Sequence, residues 1–259
     1  MKKIIALALA LVLMATCFAG CSTASDSDLA YIQEKGKLVV GITEYAPMDY
    51  KDENGQWTGF DAELAELFAQ ELGVECEFFV IADWSKKVFE LDSKNIDVIW
   101  NGMTIDDELL NTTSCSDPYV VNAQVLVMKA DKLASYPDAA SIQNLSIAVE
   151  NGSTGEKAAK AAGCTNLVAV QDMAAALLEV AAGTSEACVV DITAAKAMTG
   201  EGTSYPDLAI GFSLVSEEYG VGFRKGSDVT AKLNAFLAKL KEHGQLQALA
   251  TKYELTLAE

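Results

Sequence analysis

The sequence predicts an α/β protein made of two similar lobes. Short apolar runs rich in Val, Ile and Phe alternate with amphipathic stretches of helical period, and the alternation occurs twice in the same order. Small polar turns follow the strand-like runs in both halves, where open α/β sheets hold ligands. With 259 residues, 51% of them apolar, the chain can bury one large core or two moderate ones.

The N-terminus precedes the fold. Lys2 and Lys3, the apolar run Ile4 to Phe18 and the small residues before Cys21 form a signal peptide over 1–20, too short for the ~20 residues of a membrane span. Residues 21–30, opening on "CSTASDSD", read as a polar tether that cannot pack.

The first series is strand "KLVVGIT" (37–43), helix "DAELAELFAQEL" (61–72) stopped by Gly73, strand "VECEFFVI" (74–81) and helix "WSKKVFELDS" (84–93). It continues with strand "IDVIWNG" (96–102), a helix start at 106–111 and strand "AQVLVMK" (123–129). The second series is strand "LSIAVE" (145–150), a helix from "NGSTGEKAAKAA", strand "NLVAV", helix "MAAALLEVAAG", strand "ACVVDI" (187–192), helix "TAAKAM" and strand "GVGFRK" (220–225). One long helix from 228 to 253 closes the chain. The candidate ligand turns are therefore 42–48, 82–85, 100–104, 151–155 and 190–193.

These turns carry the polar groups of a binding site. Ser153 and Thr154 open a helix directly after a strand, so they can seat an anion at its N-terminus or simply cap it with Glu156 in the first turn. Asp191 ends an apolar strand, where a carboxylate either grips an ammonium or sits solvated at the strand end. Tyr45, Trp84 and Trp100 lie in or beside three turns, as ligand walls or as core. Glu44 and Glu150 add carboxylates beside the turns.

Composition excludes several classes. The net charge is −18, and loss of Lys2 and Lys3 with the leader makes it more acidic, which argues against nucleic acid as a partner. His243, the one histidine, falls in the closing helix, away from every candidate turn, so nucleophilic triads and most metal sites are not expected; no cofactor and no enzyme activity are predicted. Cys76, Cys115, Cys164 and Cys188 form no CxxC pattern and read as buried thiols, with a Cys164–Cys188 disulfide as the alternative.

The stretches "VVGITEYAPMDYKDENGQWTGFDAELAELFAQELGV", "DSKNIDVIWNGMTI", "SDPYVVNAQVLVMK", "VENGSTGEKA", "VVDITAA" and "EEYGVGFRKGS" resemble, in this order, the solute-binding proteins of polar amino acid ABC importers, the family of the histidine- and lysine/arginine/ornithine-binding proteins. The resemblance covers the chain beyond the tether. It implies a periplasmic-binding-protein type II fold: lobe 1 from 31–122 plus 214–259, lobe 2 from 123–213, and two crossing segments near 120–126 and 211–218 that act as a hinge. It implies a ligand held by Tyr45, Trp84, Asn101, Gly102 and Thr104 from the first lobe. From the second, Ser153 and Thr154 take the α-carboxylate and Asp191 the α-ammonium. The leader resembles a lipobox, implying lipidation of Cys21, attachment to the extracytoplasmic face of the cell membrane, and a monomer that docks on an ABC permease; secretory cleavage without lipid is the alternative.

One position departs from the pattern. Family members carry an arginine five residues after the turn's Ser/Thr, which forks onto the α-carboxylate; here that position is Leu109, and the chain's one arginine is Arg224. The helix end at Ser153/Thr154 alone, a lysine such as Lys87, or a ligand without an α-carboxylate would each resolve the loss. With Glu44, Glu150 and Asp191 near the turns, the expected ligand is a polar and possibly cationic amino acid. A polyamine, a dehydratase-like enzyme on the same fold and a sensory module are the alternatives.

Overall fold

The structure, a computed structural model, describes residues 27–259. The leader, Cys21 and most of the tether lie outside the described residues. Helix α1 (Asp28–Lys35) starts where Ser27 Oγ accepts from Ala30 N at 3.0 Å. Lobe 1 then builds β1 (Lys37–Ile42), the hairpin β2 (Tyr50–Lys51) and β3 (Trp57–Thr58), α2 (Phe60–Leu72), β4 (Glu75–Val80), a 3-10 turn at Trp84–Lys86, α3 (Lys87–Asp92) and β5 (Val98–Thr104). Next come α4 (Asp107–Thr112), β6 (Thr113–Cys115) and β7 (Val120–Lys129). Lobe 2 holds β8 (Ser146–Glu150), α5 (Thr154–Ala161), β9 (Asn166–Val170), α6 (Met173–Ala182), β10 (Ala187–Asp191) and α7 (Ile192–Met198). Strand β11 (Leu208–Arg224) returns to lobe 1, and α8 (Val229–Glu242) and α9 (Gln245–Lys252) end the chain.

Nine strands share one sheet, in the order β4-β1-β5-β11-β7-β10-β8-β9 with β6 also on β11. Each end of the sheet is parallel: β4, β1 and β5 in lobe 1, and β10, β8 and β9 in lobe 2. The middle is antiparallel, because β7 and β11 run side by side between the lobes, pairing from Lys129↔Leu208 to Val120↔Tyr219. The lobe boundaries read from the sequence, 122/123 and 213/214, fall inside these two strands.

The cores follow this division only in part. Phe60, Phe68, Trp100 and Phe236 fill lobe 1 in a cluster that runs along the sheet to Leu177 and Cys188, whereas Ile147, Val149, Ala159 and Val189 form a separate core under α5. All four cysteines described are free, so the predicted alternative of a Cys164–Cys188 disulfide does not form.

Helix α1 begins inside the span read as a tether, with Asp28 already buried, and three of the elements read from the sequence take a different form. The "NGMT" segment is the end of β5 rather than a turn, since Met103 and Thr104 still pair with Gly220 and Tyr219 of β11. The strand expected at 220–225 is the tail of a 17-residue strand, whose middle carries exposed polar residues as it passes between the lobes. The closing helix is two helices, because Gly244 adopts φ 71° and breaks the helical ladder after His243.

Candidate functional site

The carboxyl ends of β5, β8 and β10 face one another across the lobes and enclose a cavity of about 190 Å³. Its walls divide by hydrogen-bonding sense. Asp191, at the end of β10 and 3% exposed, forms one pole. Gln124 lies directly across the strand pair from it, and the amide donates from Nε2 to Asp191 Oδ1 and to Glu217 Oε1, the latter at 2.8 Å. Those two donations turn Gln124 Oε1 away from the carboxylates, and it has no partner. Tyr219 donates to Asp191 Oδ2, and Tyr45 Oη reaches the same oxygen at 3.4 Å while bonding Tyr219 Oη at 2.6 Å and Thr193 Oγ1.

Glu150 ends β8 with 2% exposure, and its Oε1 is buried without a partner. Burial, then the negative charges of Asp191 and Asp172, pushes its carboxyl well above the usual range. Burial and the charge of Glu217 push Asp191 up to about 8, against its hydrogen-bond donors. Burial raises Glu217 as well, and holds both phenols protonated.

The opposite wall donates. Ser153 caps α5, its Oγ accepting from Glu156 N at 3.1 Å, and Glu156 reaches back to Gly152 N at 2.9 Å. The next amides at the helix start, Thr154 and Gly155, face no carbonyl of their own helix, as at any helix N-terminus. Lys87 lies 4.9 Å from the Trp84 ring centroid and donates to Gly152 O at 3.3 Å; burial, then repulsion from Lys157, lowers the pKa of its ammonium. Trp84, Val88, Met103, Leu109 and Met173 supply the apolar part of the lining.

The lobes touch around the mouth. Besides Lys87 on Gly152, Asn151 Nδ2 donates to Asp83 Oδ1 at 3.0 Å, and Lys157 bridges Asp106 and Glu108, each at 2.7 Å. These contacts tie the two lobes together beside the cavity.

Of the residues proposed from sequence, Trp84, Asn101, Gly102, Thr104, Glu150, Ser153, Thr154 and Asp191 line this cavity. Tyr45 stands behind it through the hydroxyl cluster on Asp191. Two are corrections. Glu44 is exposed between the buried Thr43 and Tyr45 and is not part of the lining. Trp100 is fully buried edge-on to Phe68 in the lobe 1 core, because alternation along β5 turns it to the far face.

Asn101 and Gly102 have a different employment from the one expected. Asn101 Oδ1 accepts from Thr43 N at 3.0 Å and Oγ1 at 2.7 Å, and Nδ2 donates to Thr43 O at 3.0 Å and to Asp49 Oδ2 at 2.7 Å. The side chain is spent on joining β1 to β5. Gly102 N donates to the buried Asp61 at 2.6 Å, and its φ of 54° leaves room for a Cβ only 2.7 Å from Tyr45 and 3.1 Å from Tyr219, so glycine lets both phenol rings approach. Burial raises Asp61 to about 7 and, with the charge of Asp61, raises Asp49 well above its ordinary value. Sequence reasoning missed Gln124, whose signal was a lone amide within the apolar strand "AQVLVMK". It also missed Lys157, Asp106 and Glu108, which meet only across the lobes.

A cleft between two α/β lobes joined by paired crossing strands, with a helix N-terminus facing a buried carboxylate, defines a binding protein for a small polar solute on the type II periplasmic-binding-protein fold. The chain belongs to the bacterial extracellular solute-binding proteins, family 3, whose profile matches residues 38–256. It is 29% identical over 245 residues to the L-cystine-binding protein TcyJ of Escherichia coli strain K12, covering 91% of this chain and 90% of that one. Holo ArgBP from T. maritima is similar with a TM-score of 0.76 and 32% identity, covering 82% of this chain and 93% of that one. The ancestral amino acid-binding protein AncCDT-1, described as a precursor of cyclohexadienyl dehydratase, has a TM-score of 0.80 and 30% identity, covering 88% and 99%. These relatives are amino acid-binding proteins, and ABC amino acid import is the family's setting.

Proposed function

We propose that this protein captures an α-amino acid with a basic side chain and delivers it to an ABC permease in the membrane. The observation that carries the reading is Glu150: a buried carboxylate with an unpartnered oxygen, lining the same cavity as Asp191, needs a donor that the protein itself does not supply. In this reading Asp191 takes the α-ammonium, the start of α5 with Lys87 takes the α-carboxylate, and the side-chain cation meets Glu150. The names of the relatives agree, several being arginine- or lysine-binding.

In this reading the protein is a carrier without turnover, as the binding proteins among its relatives are named. No helix among the described residues is long and apolar enough to cross a membrane. Attachment through lipid on Cys21 and action as a monomer complete the proposal, motivated by the lipobox-like leader.

A ligand-induced melting shift on refolded protein tests it, with L-arginine, L-lysine, L-ornithine, L-histidine, L-cystine, L-glutamine and putrescine. At 100 times its dissociation constant a ligand adds about 2.7 kcal/mol. Basic amino acids are expected to shift the transition and L-glutamine and putrescine to leave it. A shift by putrescine alone would replace the amino acid with a diamine, and chemical change of any ligand during incubation would refute the carrier reading.

A further inference from the structure

Glu150 is surrounded in a way that a permanently ionised carboxylate would not tolerate. From β10 comes Asp191, whose oxygens are occupied by Gln124, Tyr219 and Tyr45. From the start of α6 comes Asp172, which caps that helix by accepting from Ala175 N at 2.7 Å. Glu217 stands behind Gln124 on β11. From α5, Glu156 is engaged with Lys160 at 2.6 Å, and Lys157 with Asp106 and Glu108. The one remaining cation in the lining, Lys87, comes from lobe 1 and donates to the carbonyls of Trp84 and Gly152 rather than to Glu150.

The cover over Glu150 is partly the other lobe. Trp84, Ser85 and Lys87 of lobe 1 line the cavity that Glu150 of lobe 2 faces, and Gly152, two residues on, touches Ser85 directly. Closing the lobes therefore strips water from a carboxylate to which neither lobe donates a hydrogen bond, Lys87 offering only attraction through space that burial and the neighbouring carboxylates outweigh.

We infer that Glu150 makes closure of the lobes conditional on charge: they close when a cationic group brought by the ligand, or a proton, neutralises its carboxylate, and stay apart when a neutral ligand leaves it bare. This rests on the cavity being the ligand site. It goes further in assigning selectivity to the closing step rather than to contact alone. A neutral amino acid can fill the α-ammonium and α-carboxylate positions in the open form and still fail to close it. The proton and the ligand cation compete for one group, so acid closes the unliganded protein and weakens capture of a cation. Burial, and repulsion from Asp191 and Asp172, place this competition above the ordinary carboxylate range.

Two measurements on the full mature chain and its Glu150→Gln variant decide it. Small-angle X-ray scattering of the unliganded proteins is recorded from pH 8 to pH 5. The wild type is expected to become more compact as the pH falls, and the variant, carrying a permanently neutral isostere, to be compact at both ends. Calorimetric titration with L-arginine and L-glutamine at pH 7.5 is expected to show the ratio of their affinities falling at least about tenfold in the variant, the equivalent of one pKa unit of differential interaction. Equal pH dependence of size in the two proteins overturns the inference whatever the ligand proves to be. An unchanged affinity ratio overturns it too, while leaving amino acid capture in place. Failure of both amino acids to bind the wild type would instead refute the proposed function, and the scattering comparison would still decide the role of Glu150.

Discussion

Replacing Gly152 by alanine adds one methyl group at the point where the lobes meet. A Cβ there would lie 2.6 Å from Ser85 Cβ, 2.7 Å from Ser85 Cα and 3.1 Å from Ser85 N, all across the cleft. Backbone atoms of Ser85 cannot rotate out of the way, so the 3-10 turn at Trp84–Lys86 must retreat from α5. Two costs have to be separated. The left-handed φ of 72° disfavours alanine by about 1 kcal/mol whether the lobes are open or closed, and appears as lost stability. The clash arises only on closure; overpacking of one methyl costs about 1–3 kcal/mol, so ligand affinity should fall roughly 5- to 150-fold. The assay is calorimetric titration with L-arginine beside urea unfolding without ligand. Loss of stability with unchanged affinity would refute the reasoning, since the bound form would then not require Gly152 to rest against Ser85.

Tyr219→Phe keeps a fully buried ring but removes a hydroxyl that donates to Asp191 and lies 2.6 Å from Tyr45 Oη; hydrogen bonds to charged groups contribute about 1.5–3 kcal/mol, so a fall in L-arginine affinity of about tenfold or more is expected by calorimetry. Stability should peak near an acidic pH of about 4. Asp49, Asp61, Glu150, Asp191 and Glu217 bind protons more tightly folded than unfolded, so their contribution is lost as pH rises from about 4 toward 8; Asp52, Asp83, Asp106 and Glu156, held below their ordinary values, lose theirs as pH falls through about 4. Melting curves across that range check the peak, and Asp49→Asn should flatten its alkaline side. Reductant should leave the melting temperature unchanged, because Cys76, Cys115, Cys164 and Cys188 are free thiols; a drop on adding reductant would mean a disulfide.

Periodicity located most of the frame. The strands at 37–42, 98–104, 146–150 and 187–191 and the helices at 60–72 and 173–182 stand close to where apolar pattern and Gly stops put them. The hairpin of Tyr50–Lys51 with Trp57–Thr58 and the helix at Asp28–Lys35 were not read, being short or polar. β11 was cut short because a strand linking two lobes has no buried face in its middle, and alternation fails as a signal there. The site was legible where a group's role depends on its own element, as with Ser153 at a helix start or Asp191 at a strand end. It was illegible where the role depends on a distant partner. Asn101 and Glu44 carry similar polar signals, yet one is locked between Thr43 and Asp49 and the other is in solvent. Sequence gives an inventory of donors and acceptors; packing decides which of them remain unpaired.

The departure at Leu109 gains its meaning from that remainder. Leu109 is 5% exposed in the cavity lining, packed in the small core of Trp84, Ile99 and Met103. An arginine there would stand beside the carboxylates of Asp191 and Glu150 together with Lys87, making two positive groups for two negative ones, which suits a zwitterion of no net charge. With leucine one negative charge is left over among these inner groups, and at the rim the single ammonium of Lys157 serves both Asp106 and Glu108, so the lining as a whole is acidic. A ligand of net positive charge then suits the cavity. Leu109→Arg should restore the balance and move preference toward neutral amino acids. Two unit charges about 7 Å apart at an effective dielectric of about 20 interact by roughly 2 kcal/mol, so the L-arginine to L-glutamine affinity ratio should fall about 30-fold. Melting temperature separates this from mere overpacking of a buried position. A folded variant that keeps its preference for the cation would mean that the charge of the cavity does not select the ligand, and that the leucine is a packing choice alone.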